Sequence, residues 1–191
     1  MQEKISGKEI WNNSAKSGLI LGLASSVFIF IGLLTQKMSP GFLSSAVGFI
    51  LWLVKFILCI YIMMYFQKKL VSDYTGVTNT DTFRYGMGMA FFSAVIYSAA
   101  VIAEIFIVGT DAITGEINTV MQSYSGMMDS NSINAMDKVK DNISQLMLIF
   151  TFIYCFLYGT ILSFITSRSI PSDNPFAENG QDIKTDGTDN V

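Results

Sequence analysis

Histidine is absent from this 191-residue chain, which removes the commonest protein metal ligand and the usual general base at neutral pH. Cysteine is nearly absent. Cys59 and Cys155 each lie inside a long apolar stretch, which excludes a secreted disulfide framework and any Cys-x-x-Cys metal or redox motif. Charged residues make up only 14%, against about a quarter in ordinary globular domains. No HExxH, GxSxG or Walker loop occurs, so no catalytic residues, metal ligands or cofactor motif are expected. The net charge is −3, and no nucleic-acid partner is expected.

Apolar residues fill the space that charge leaves, at 51% of the chain. They fall into four runs, about 15–34, 45–66, 83–108 and 143–165, each near the roughly 20 residues needed to cross a hydrocarbon core. The pattern predicts an all-α fold, an integral membrane bundle of four transmembrane helices whose first partner is the lipid bilayer. A cleavable signal peptide is the rival reading of the first run. It needs a shorter apolar core and a small-x-small cleavage site, whereas this run ends in Thr35, Gln36, Lys37 and Met38. Ser39, Pro40 and Gly41 mark a turn before the second helix, and Thr80 and Asp81 are candidate caps for the third. Residues 171–191 carry five carboxylates and one lysine and too little apolar surface to fold, which predicts a disordered acidic tail. Asn174-Pro175-Phe176 within it is too short a motif to assign a docking role.

Basic residues set the expected orientation, because short cytoplasmic segments carry an excess of Lys and Arg. Lys4, Lys8, Lys16, Lys68, Lys69, Arg84, Arg168 and Lys184 fall on one side, and Lys37, Lys138 and Lys140 on the other. Both termini are therefore expected in the cytoplasm. Lys68 and Lys69 read first as a topology anchor and only second as a site for anionic lipid.

One large polar segment, about 109–142, separates the third and fourth runs. Ile113, Ile117, Val120, Met121, Tyr124, Met127 and Met128 recur there at helical spacing, and Ile133, Met136, Val139 and Ile143 form a second stripe. The leading expectation is that the flanking helices continue outward and pack through these stripes. A helix on the lipid surface and a partner groove are the alternatives.

Inside a bilayer, helices associate by close packing, so small residues four apart mark contact faces. Ser14, Gly18, Gly22 and Ser26 form such a row in the first helix, and Gly86, Ala90, Ala94 and Ser98 form one in the third. Packing of these two helices within the bundle is preferred to homo-oligomerisation. The halves also echo each other. Lys16, Gly18, Gly22, Ser25 and Val27 align with Arg84, Gly86, Ala90, Ser93 and Val95, and Phe56, Ile57 and Cys59 align with Phe152, Ile153 and Cys155. This is the pattern of a parallel duplicated hairpin.

Lys55 interrupts the second run and Glu104 lies near the far end of the third. A lone charge at helix centre costs about 2.5–3.5 kcal/mol on insertion scales, so an intramembrane ion pair between them is the expected solution. Separate snorkelling to the interface and a proton or ion site are the alternatives.

Ser17-Gly18-Leu19-Ile20-Leu21-Gly22-Leu23 at the start of the first helix and Thr82-Phe83-Arg84-Tyr85-Gly86 before the third, followed by the long Met-rich segment, resemble the bacterial four-helix membrane proteins grouped as domain of unknown function 4199. The resemblance covers about residues 10–168. The polar connection 72–79 departs from it, keeping only Gly76 where the family often has a glycine-rich turn. The resemblance implies four transmembrane helices in a bacterial cytoplasmic (inner) membrane, and no established activity or catalytic residues. The leading functional expectation is a non-catalytic assembly or interaction protein that meets other membrane proteins or its own copies. The alternative is a small-solute or ion pathway using Lys55 and Glu104, and an intramembrane enzyme ranks last.

Overall fold

The apolar runs fold as helices that outlast them. In a computed structural model, which describes residues 5–36, 42–124, 129, 131, 135, 138–140 and 142–170, the chain forms α1 (Gly7–Gln36), α2 (Phe42–Asp73), α3 (Asn79–Val108), α4 (Thr110–Tyr124) and α5 (Ile143–Arg168). Four of these, α1, α2, α3 and α5, are long and apolar enough to cross a membrane. Residues 37–41, the tail 171–191 and much of the second amphipathic stripe lie outside the described residues.

The end at which α1 and α3 begin and α2 and α5 finish, here the near end, extends furthest beyond the apolar runs. Burial explains the extension. Leu70 and Val77, both outside those runs, are buried in one cluster with Met63, Tyr85 and Met89, and Ile5, Ile10 and Tyr74 pack against it. The cap of α3 falls two residues before the expected Thr80. Thr78 is the N-cap, its hydroxyl accepts from Asp81 N–H, and the Asp81 carboxylate accepts from Thr78 N–H at 3.1 Å, a reciprocal capping box.

Helix α3 is the hub, with α1 and α5 packed along it and α2 seated less closely. Only 6% of the most apolar stretch of α2 is buried, against 28% in α3, so α2 turns most of its surface outward.

Small residues make the close seams, but the two rows do not face each other. Gly18 and Gly22 of α1 meet α3 on a face that does not carry the α3 row. A Cβ at Gly18 falls 2.7 Å from the Met89 carbonyl oxygen, and one at Gly22 falls 2.8 Å from Ile96 Cβ. Ser14 continues that seam by donating to Tyr85 O at 3.0 Å, while Ser26 donates back to Gly22 O within its own helix. The α3 row instead turns to α5. Gly86 lies against Ser163, and Ala90 lies against Gly159; Ala94 and Ser98 are buried further along.

At the far end α3 stops rather than continuing outward. Gly109 takes φ 88° and its N–H bonds to Ile105 O at 2.9 Å, a left-handed value that L side chains rarely adopt. The helix α4 therefore starts anew at Thr110. The expectation of one unbroken helix through Ile113 fails at this glycine.

Candidate functional site

Between α1, α2, α3 and α5 lies a cavity of about 160 Å³. Leu21 and Ser25 contribute from α1, Lys55, Cys59 and Met63 from α2, Ala90, Ser93 and Tyr97 from α3, and Cys155, Tyr158 and Gly159 from α5. A second cavity of about 190 Å³ opens between α1 and α2 toward the far end, lined by Phe28, Gly32, Gly48 and Leu51. Trp52, Lys55 and Tyr97 line both. The lysine and tyrosine thus stand at the junction of the two spaces.

Helix geometry puts Lys55 there. It lies 13 residues into α2, roughly 20 Å along the axis, and α2 turns this half-buried residue inward while Leu53 and Val54 face out. Its Nζ donates to Tyr97 Oη at 2.6 Å and stands 3.9 Å from the ring centroid, so the phenol supplies both an acceptor and a π face. Glu104 lies two turns beyond Tyr97 on α3, roughly 10 Å along the axis. No ion pair joins Lys55 to Glu104 among the described residues; the lysine head is held by Tyr97. Sequence reading missed Tyr97 because a tyrosine in an apolar helix carries no mark separating a polar partner from a packing residue.

The rest of the wall is mostly apolar with a few hydroxyls and thiols. Ser25 Oγ donates to Leu21 O at 2.8 Å and lies 3.3 Å from Cys59 Sγ. Both cysteines are free thiols. Tyr158 Oη is buried with no hydrogen-bond partner among the described residues. None of the residues lining either cavity is acidic. Positions aligned by the internal echo meet here, since Ser25 and Ser93, and Cys59 and Cys155, line the one space. The echo is incomplete, because Gly18 faces α3 whereas its counterpart Gly86 faces α5.

Two exposed aromatics bound the cavity on its outer side. Trp52 of α2 is 57% exposed and Tyr154 of α5 is 66% exposed, yet both line the space. Between them α2 and α5 touch through Phe56 and Tyr158, with ring centroids 6.0 Å apart. Because Trp52 and Tyr154 are both exposed and both line the space, the cavity reaches the bundle surface beside this aromatic contact.

A separate polar cluster closes the near end. Gln67 is fully buried and its Nε2 donates to Ser163 Oγ at 3.3 Å, while Ser163 Oγ donates to Phe83 O at 3.0 Å. Ser17 Oγ and Tyr85 Oη are 2.6 Å apart. Gln67 Oε1 has no partner among the described residues. These bonds tie α1, α2, α3 and α5 together at one level, and the packing of Gly86 against Gln67 and Ser163 fixes their approach. No group of three or more acidic or thiol residues suited to a metal ion occurs among the described residues. No known family, curated protein or solved structure matches this chain, and the geometry of the cavity is what its function is read from.

Proposed function

We propose that this chain is a non-catalytic, multi-pass membrane protein that takes a small solute into its bundle, with Lys55 at the centre of the site. The carrying observation is the cavity between the four long helices with a mid-helix cation in its wall. Ionisable groups at such depth are rare and mark solute or ion pathways by default. The assembly reading draws less support, because Gly18, Gly22, Gly86 and Ala90 are spent on seams inside the bundle. Glu104 stays outside the proposed binding set.

The proposed setting is a bacterial inner membrane with both termini cytoplasmic, which rests on the basic near end and on the resemblance to domain of unknown function 4199. A reporter fused after Ser172 that is active only outside the cytoplasm would overturn the orientation.

The chain has two tryptophans, Trp11 and Trp52, so Trp11→Phe leaves Trp52 as the sole tryptophan fluorophore, on the cavity rim. In phosphatidylcholine nanodiscs, a neutral bromoalkane is expected to quench Trp52 with a saturable component superimposed on the linear quenching due to lipid partition. Cys155→Phe, which fills the cavity, removes the saturable part. Purely linear quenching, unchanged by Cys155→Phe, overturns the binding role.

A further inference from the structure

The donors at the cavity junction have no acidic counterpart in the cavity walls. Lys55 is a cation bonded to a neutral phenol, no lining residue is acidic, and Glu104, outside the lining, feels its charge without forming an ion pair with it among the described residues. Lysine carries three N–H donors and no acceptor, and one of them is spent on Tyr97 Oη. The Tyr97 oxygen accepts that bond and keeps its own O–H to donate. Donors of this kind around low-dielectric space favour an anion, and a charge-assisted bond there is about twice as strong as a neutral one.

The remaining wall is apolar, so the complement to this site is amphiphilic. A cavity of about 160 Å³ is close to the roughly 150 Å³ engineered cavity that holds one benzene, which admits one hydrocarbon chain and not two side by side. The rim between Trp52 and Tyr154 offers the rest of a longer chain a way into lipid. We propose that the solute is a single-chain anionic amphiphile, a fatty-acid-type carboxylate, whose head bridges Lys55 Nζ and Tyr97 Oη while the first part of its chain fills the cavity between the four long helices. This assignment rests on the cavity binding a solute at all, and the test separates the two.

The Trp11→Phe chain in phosphatidylcholine nanodiscs is titrated with a brominated fatty acid, its methyl ester, and a brominated phosphatidic acid. The carboxylate gives saturable quenching of Trp52 that unlabelled fatty acid reverses, and the ester binds at least about tenfold more weakly, the least expected for losing a charged hydrogen bond. Lys55→Met abolishes that preference and Lys55→Arg restores much of it. Both variants are checked for unchanged helical circular dichroism and an unchanged thermal unfolding transition without ligand, which shows that the bundle is intact. Equal saturable quenching by carboxylate and ester, indifferent to Lys55, overturns the anionic assignment and leaves the binding cavity standing. Preference for the two-chain phosphatidic acid overturns the single-chain assignment. Loss of saturation with every probe overturns both.

Discussion

Lys55 is held by a tyrosine, and this decides which substitutions feel each other. Residues sharing a bond couple, whereas those without shared partners add within about 0.5 kcal/mol. Lys55→Met with Tyr97→Phe is therefore expected to deviate most from additivity, and Lys55→Met with Glu104→Gln less, since Glu104 feels the Lys55 charge without bonding to it. Equilibrium unfolding in mixed detergent micelles measures both cycles. The reverse result places the contact of Lys55 on Glu104. A second residue-scale prediction concerns glycine. Gly18→Ala drives a Cβ into the Met89 carbonyl and the Phe92 side chain, an overpacking expected to cost about 1–3 kcal/mol. Gly115→Ala in α4 meets nothing within 4 Å and gains helix propensity, up to about 1 kcal/mol. Thermal stability of the two single variants should move in opposite directions, and a neutral Gly18→Ala would show that the α1–α3 seam is looser than described.

Each helix begins and ends where local chemistry allows. Removing the Thr78 hydroxyl leaves the Asp81 N–H without its cap, so Thr78→Ala is expected to cost about 1 kcal/mol, read by unfolding, while Thr80→Ala, outside the cap, should be close to neutral. Much of this level was legible beforehand. Four long helices followed from the apolar runs, and the mid-helix charge stood out at Lys55. Other features were not legible, for physical reasons. Small-x-x-x-small rows mark a face without naming its partner, so the Gly86 row could not be assigned to α5. Hydropathy follows lipid contact rather than burial in protein, so the helical turns carrying Gln67 and Leu70 were cut off at Phe66. The stripe through Ile113 and Ile117 continued the helical period, and only the backbone at Gly109 shows that the helix restarts.

At the scale of the whole molecule, α3 holds the bundle together while α2 sits loosely against it. Any occupant of the cavity stabilises the folded bundle by mass action, by about 2.7 kcal/mol at a hundredfold excess over Kd. A rise in melting temperature with added fatty acid, absent in Lys55→Met, is therefore expected, and no shift at saturating ligand would count against the site. The central place of α3 also bears on biogenesis. In the proposed membrane setting helices leave the ribosome in order, so α1 and α2 would enter the bilayer before the helix to which α1 is chiefly fitted exists. The Gly18–Gly22 groove and the Ser14 and Ser17 hydroxyls would then face lipid without their α3 partners, and the nascent hairpin would be an orphan until α3 arrives. Residues 1–73 expressed alone should be cleared by membrane proteases several-fold faster than the full chain, and supplying residues 74–191 as a second polypeptide should rescue them, since preformed helices assemble after insertion. Pulse-chase labelling measures this; equal lifetimes without the second piece would mean that the first two helices need no third. Quality control would thus read the completeness of this protein at the moment its third helix docks.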